Sequence, residues 1–325
     1  MYSIGRLGLA VVVLAGCALN GPVDEDEATS ESNGTEELNV GSVEAAETAS
    51  WGSATNCKPI PAVETLKSPE IVVSLDGLTL HLRDRAGTYD RVFPVGVGAI
   101  DGGKSKTPVG KFYTGATTAE VKDGGWGYYY PCKIWWTDPD TRKASPVFAG
   151  LPFIRLAGPP TAGYALHGPI DGFTAPTGGS LRRGYVSHGC VRMASADILE
   201  VFARIRGKSK VPVRIQQEVE RDTAGAAVDL PAKWIGSECK ADADCNYTGG
   251  KCSLGASGVG TCTLPCTRTC PDRAGEAPTF CASNGQCVPQ ASTTWNDACD
   301  RYAGRLTVKN TARPDKSATA TVCAP

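Results

Sequence analysis

The chain has 325 residues, 33 lysines and arginines against 34 aspartates and glutamates, and a formal net charge of −1. That balance gives no broad basic surface, which excludes nucleic acid as the expected partner. Fourteen cysteines beside only three histidines point to an oxidising compartment. In chain order, residues 1–16 come first. A single Arg6 precedes an apolar run from Leu7 to Ala15 in MYSIGRLGLAVVVLAG, too short to cross a bilayer and built like a secretory signal with small residues at the cut. No other stretch approaches the roughly 20 apolar residues of a transmembrane helix. Residues 17–56 are rich in Glu, Ser, Thr and Ala, and VDEDEATSESNGTEE carries no lysine or arginine. Such a composition buries too little apolar surface to fold and reads as an acidic tether.

Regular patterning begins near Pro69, within a folded region expected over residues 57–216. IVVSLDGLTLHLRD predicts two strands about a hairpin turn at Asp76-Gly77. Leu78, Leu80 and Leu82 alternate with Thr79, His81 and Arg83, which puts His81 on the polar face as a solvated residue. RVFPVGVGAI supplies a third strand after Ala86-Gly87, and further short strands run to YALHG, with no long helix before Ser195. SADILEVFARIRG then places Ile198, Leu199, Phe202 and Ile205 on one helical face, with Ser195 as N-cap and Gly207 as the stop. VPVRI closes the region as a strand. The expected class is mainly β with few helices.

Residues 217–236 read as a linker, and residues 237–325 hold ten of the fourteen cysteines in sequence poor in apolar residues. No Cys-x-x-Cys pair occurs there and no histidine follows His188, so neither zinc nor any other metal is expected. A small disulfide-rich C-terminal domain is the expectation. Asp242 and Asp244 read as turn caps, with calcium binding as the alternative.

Two motifs carry resemblances. Leu14-Ala15-Gly16-Cys17 resembles the lipobox of bacterial lipoproteins. The resemblance implies acylation of Cys17, attachment to the membrane through an N-terminal lipid and residence in the bacterial cell envelope. Ala18 after the cysteine implies the outer membrane, facing the periplasm. More than one acyl chain makes such anchoring stable.

The second lies in the order KSKTPVGKF (104–112), YALHGP (164–169) and SHGCVRM (187–193). Together these resemble the catalytic domain of L,D-transpeptidases (YkuD-like), bacterial enzymes that build alternative peptidoglycan cross-links. The resemblance implies a β-sandwich or partly closed barrel. It places the nucleophile at Cys190 and the proton acceptor and donor at His167, with His188 in support or as the alternative base. A thiolate is the attacking form, and a free thiol with a pKa of roughly 8.5 needs a base at neutral pH. Gly168 is expected to orient His167 through a backbone carbonyl. Gly189, lacking Cβ, permits a sharp turn that exposes the Cys190 N–H as an oxyanion donor. Arg192 either binds a stem-peptide carboxylate or pins the loop. Ser187 and Tyr164 complete the expected substrate-binding set, Ser187 with hydrogen bonds inside the loop.

The mechanism implied is cofactor-free ping-pong acyl transfer. Cys190 attacks the bond before the terminal D-alanine of a tetrapeptide stem of peptidoglycan, and an amine of another stem or of a protein resolves the thioester. Resolution by water would make the chain an L,D-carboxypeptidase. A third alternative is a non-catalytic disulfide-rich envelope-binding protein. For the C-terminal module the candidate partners are the wall or an envelope protein, against an inert spacer.

Two further expectations complete the reading. Setting aside Cys17 and Cys190 leaves twelve of the fourteen cysteines, an even number that fits six bridges. Twenty-two residues separate His167 from Cys190, longer than the family's commoner spacing, and DGFTAPTGGSLRRG, with Arg182 and Arg183, reads as a surface loop or a flap.

Overall fold

A computed structural model describes residues 60–115, 151–158, 163–169, 181–208, 210–302 and 305–325, and the backbone of 128–129, 135–137 and 144–146. The signal, the tether, Cys17 and most of the glycine-rich loop before Leu181 lie outside the described residues.

The alternating runs form strands where expected. β1 (Pro69–Ser74), β2 (Thr79–Asp84) and β3 (Asp90–Gly98) make an antiparallel meander. The hairpin β4 (Ile100–Asp101) and β5 (Lys104–Ser105) turns through Gly102 and Gly103, both at positive φ. There follow β6 (Gly110–Thr114), β7 (Tyr128–Tyr129), β8 (Trp135–Thr137), β9 (Ala144–Pro146), β10 (Phe153–Ala157), β11 (Ala165–His167), β12 (Tyr185–Ser187) and β13 (Val191–Met193). Helix α1 (Ser195–Ile205) and β14 (Pro212–Gln216) end the region.

Eight strands close a ring in the order β1, β14, β6, β10, β11, β13, β3 and β2, with β7 added on β10 and β12 on β3. The fold is thus mainly β, a closed barrel. Closure leaves the eight strands no free edge. The interior is apolar: Val73, Leu80, Leu82, Phe93, Val95, Leu166 and Val191 are fully buried, each contributing roughly 1.5–3 kcal/mol by transfer from water. Helix α1 lays Ile198, Val201, Phe202 and Ile205 on this core. It starts one residue earlier than the cap reading implied: Ala194 occupies the N-cap position and Ser195 is the first helical residue. Gly207, at φ 76°, sits just past the helix end.

His81 corrects the alternation argument. It is 3% exposed, because the chain after β14 crosses its face and brings Glu220, also 3% exposed, over it. Nδ1 lies 3.1 Å from Glu220 Oε2 and Nε2 lies 2.9 Å from Asp90 Oδ1. Burial alone would depress the pKa, but the two carboxylates outweigh it and raise it. A polar face in sequence is therefore a covered face in the fold.

The join between β2 and β12 positions the functional region. The amides of Val95, Val97 and Ala99 donate in turn to the carbonyls of Leu78, Gly184 and Ser187, at 3.1, 2.8 and 2.7 Å. So β12 takes over the edge of β3 where β2 leaves it. β13 pairs with the opposite edge of β3, Arg192 against Gly96. The loop His188–Cys190 must therefore arch across the end of β3.

Beyond the barrel, β15 (Glu238–Cys239), β16 (Lys251–Leu254) and β17 (Gly260–Thr263) form a small sheet, and β18 (Thr279–Cys281) pairs with β19 (Cys287–Pro289). A single helical turn, α2 (Thr293–Asn296), precedes the hairpin of β20 (Thr307–Ala312) and β21 (Thr319–Ala324). Five disulfides staple it: Cys239–Cys252, Cys245–Cys262, Cys266–Cys281, Cys270–Cys287 and Cys299–Cys323. Apolar clusters here are small, so cross-links supply constraint that burial does not.

Candidate active site

Gly189 sits at φ 127°, a region that L side chains rarely adopt. A Cβ there would lie 2.3 Å from Tyr164 Cε1 and 2.9 Å from the Lys106 carbonyl oxygen. Tyr164 thus covers the turn, and only glycine passes beneath it. The Ser187 hydroxyl accepts from Gly189 N–H at 3.0 Å and donates to the Cys190 carbonyl at 2.6 Å. Ser187 is 2% exposed, so its hydroxyl shapes the loop from inside. The Gly189 N–H is spent on that bond.

Thr107, in the TPVG motif, was not singled out in the sequence. It is 1% exposed, donates to the Gly189 carbonyl at 2.9 Å and accepts from Gly98 N–H at 2.7 Å. Gly98 is itself tight against this turn, since a Cβ would come within 2.3 Å of Thr107 N. The signal that could have found Thr107 was a hydroxyl residue beside proline in a glycine-flanked turn.

His167 ends β11, which runs parallel to β13 with His167 opposite Arg192 and Leu166 opposite Val191. Cys190 immediately precedes β13, so this register brings the Cys190 turn beside the end of β11. Nδ1 lies 2.6 Å from the Gly168 carbonyl. A carbonyl accepts only, so Nδ1 carries the proton and Nε2 is the basic nitrogen. Phe153 stacks on the imidazole at 6.0 Å between centroids, 10° from parallel. A Cβ on Gly168 would come 2.4 Å from Leu151 Cδ1, so a side chain there would have to displace that leucine. Burial foremost, with the Arg192 charge adding, pushes the His167 pKa down to about 3 despite the Gly168 contact. The imidazole is neutral at ordinary pH. His188, by contrast, is exposed on the outer side of the loop.

Cys190 is 2% exposed, with Sγ 3.7 Å from the Gly163 carbonyl oxygen. Contrary to the expectation that it stays outside the bridged set, Cys190 stands in a disulfide. The ten cysteines from Cys239 to Cys323 pair among themselves, so its partner lies outside the described residues. A second cysteine within bonding reach makes the thiol of SHGC available only on reduction. Arg192 is 8% exposed, lodged between His167 and Gly96 on the sheet.

The surroundings can therefore do nucleophilic acyl chemistry: a neutral imidazole with its tautomer fixed, a glycine-only turn presenting a sulfur, and a buried cation beside them. The YkuD family model, described as the L,D-transpeptidase catalytic domain, matches residues 68–215. Among solved structures, the L,D-transpeptidase from Xylanimonas cellulosilytica is 18% identical, with a TM-score of 0.27, over 49% of this chain and 64% of its own. The catalytic domain of the E. faecium L,D-transpeptidase is 18% identical, with a TM-score of 0.27, over 46% of this chain and 98% of that one. L,D-transpeptidase 3 from Mycobacterium tuberculosis, solved with a faropenem-derived adduct, is 19% identical, with a TM-score of 0.28, over 46% and 60%. The chain thus spans less than two thirds of the first of these. No curated protein matches it.

Proposed function

We propose, from the match of residues 68–215 to the L,D-transpeptidase catalytic-domain family model, that this chain transfers peptidoglycan stem peptides through a thioester on the reduced thiol of Cys190. The observation that carries this reading is His167 with Nδ1 held at the Gly168 carbonyl, 2.6 Å away, one strand from the Cys190 turn. Nε2 then takes the thiol proton. The low His167 pKa belongs to the bridged state; on reduction a thiolate beside the imidazole supplies a negative charge that raises it and favours the proton transfer. The buried Arg192 guanidinium steadies the same thiolate.

Sulfur attacks the carbonyl of the third stem residue, forming C–S, and the Cys190 N–H meets the oxyanion. Collapse breaks the C–N bond, and His167 returns the proton to the D-alanine amine. An amine of a second stem attacks the thioester and regenerates the thiol. Water at that step would give L,D-carboxypeptidase activity, with the free tripeptide stem as its product.

Incubation of the reduced full chain with a defined tetrapeptide muropeptide, followed by mass spectrometry, tests the reading. It should give a cross-linked dimer less one D-alanine, and none from Cys190→Ala. Neither dimer nor tripeptide from the reduced wild type, with Cys190 confirmed as a thiol, would overturn it.

The lipobox-like Cys17 gives the reading a place: a lipid-anchored enzyme of the bacterial envelope, its acidic tether reaching toward the wall. Cys17→Ser should move the protein from the membrane fraction to the soluble one.

A further inference from the structure

The glycine-rich stretch before β12 does not end as a free surface loop. Arg183, seven residues before Cys190, is 5% exposed and is gripped from two sides. From the barrel, the Gly77 and Leu78 carbonyls accept from its guanidinium at 2.8 and 3.1 Å. From the cysteine-rich region, Glu276 Oε1 accepts at 2.7 Å, and the Gly275 carbonyl accepts from the Arg183 backbone N–H at 3.1 Å. Asp229, in the stretch joining the two, stands 3.6 Å from the same guanidinium. The next residue, Gly184, passes so close under α2 that a Cβ would come 2.5 Å from the Thr294 carbonyl oxygen. Arg301 adds a bond to the Asp76 carbonyl at 3.2 Å.

The strand held this way needs holding. β12 has three residues, pairs with β3 at only two positions, and its register shifts between Tyr185 and Ser187. So short and irregular a parallel pairing fixes little by itself, yet it sets where Ser187 and the Gly189–Cys190 turn lie. The gripping segment is itself rigid, for Gly275 and Glu276 fall inside both the Cys266–Cys281 and the Cys270–Cys287 loops.

We infer that the cysteine-rich region is a working part of the catalytic unit: through Glu276 and the Gly275 carbonyl it clamps Arg183 and thereby positions the Cys190 turn. Arg183 and Glu276 are positioning residues, and the inference rests on the acyl-transfer reading only for its activity readout. A guanidinium is required because its planar fork serves two barrel carbonyls and a carboxylate together, which an ammonium does not.

The test compares full-length, reduced wild type with Glu276→Gln, Glu276→Ala and Arg183→Lys, the five bridges confirmed by mass. Exposed Arg268→Ala is the control. Two readouts are taken: steady-state kinetics on a tetrapeptide muropeptide, and the rate of Cys190 alkylation by iodoacetamide, which needs no substrate. A turn displaced by about an ångström should lower kcat by roughly ten- to a hundredfold, with KM within twofold. The alkylation rate should change severalfold in the Glu276 variants and Arg183→Lys, and stay put in Arg268→Ala. A variant that only lost stability would not alter kcat below its unfolding temperature.

Wild-type kcat and alkylation rate in folded Glu276→Gln and Arg183→Lys would overturn the inference. If wild type lacks turnover while the alkylation rates still separate the variants, the clamp stands and the acyl-transfer reading falls. Should Glu276→Ala fail to fold, the near-isosteric Glu276→Gln decides.

Discussion

The Thr107 hydroxyl donates to the Gly189 carbonyl at 2.9 Å across 82 residues of sequence, and with its other face accepts from Gly98 N–H at 2.7 Å. One buried side chain thus fixes the end of β3 and the turn that presents Cys190. Thr107→Val keeps the shape and removes both bonds. It leaves a buried donor and acceptor without a partner, at a cost of about 1–3 kcal/mol. The expected result is a lower unfolding temperature and slower acylation of reduced Cys190, with Thr107→Ser close to wild type. Equal unfolding temperature and acylation rate in Thr107→Val would show the tie to be idle.

What was legible in the sequence, and what was not, divides along the range of the interactions involved. The first three strands and α1 were visible because each is written in a local period, two for Leu78–Leu80–Leu82 and 3.6 for Ile198–Phe202–Ile205. The motif order also pointed to the β-rich catalytic domain. His81 was misread because its partner Glu220 is 139 residues away, and no local pattern says that a linker will cross that face. Thr107 was passed over and Arg183 was read only as part of a surface loop or flap for the same reason: their partners are far away in sequence, among them backbone groups that have no sequence signature. The bridge at Cys190 could not be read from a parity count, since an even number of cysteines allows many pairings.

His167 gives a pH signature. Its pKa is pushed down to about 3, foremost by burial, so the neutral imidazole that accepts a proton persists far below pH 6.5. In the bridged protein the His167 titration, followed by histidine NMR, should lie well below that value, in contrast to a solvated histidine. The folded state takes up this proton less readily than the unfolded chain, so its stabilising share is present above about pH 6.5 and lost as pH falls toward 3. A His167 titration near 6.5 in the bridged protein would show that burial does not hold the imidazole neutral. Arg192→Gln removes a neighbouring positive charge and should move the His167 titration upward, followed by histidine NMR.

His81 has the opposite sign. Burial is the largest single influence and acts downward, yet Glu220 and Asp90 together raise the pKa. The folded protein therefore holds this proton more tightly than the unfolded chain. The stabilisation is fully present below the unfolded value of about 6.5 and is lost as pH rises through the higher folded value. Wild type should lose unfolding free energy relative to His81→Gln between pH 6 and 8, measured by urea titration at each pH. A constant difference over that range would mean that the imidazole does not titrate between its two carboxylates.

On the acyl-transfer reading, the bridge at Cys190 makes activity depend on reduction. A sulfur bonded to sulfur is not a nucleophile toward an amide, and one that is 2% exposed is reached only by a small thiol or after local opening. Protein isolated under oxidising conditions should therefore be inactive on tetrapeptide muropeptides. Activity should appear in proportion to the fraction of Cys190 present as thiol, quantified by alkylation and peptide mapping after graded exposure to a dithiol. Because Cys239–Cys252 and the four other bridges of the C-terminal region also respond to reductant, each sample is mapped at all of them. Turnover should follow Cys190 among samples in which those five remain closed. Cys190→Ser should be inactive at every reductant level. Full turnover in a sample whose Cys190 is entirely bridged would remove it from the role of nucleophile and move the chemistry elsewhere.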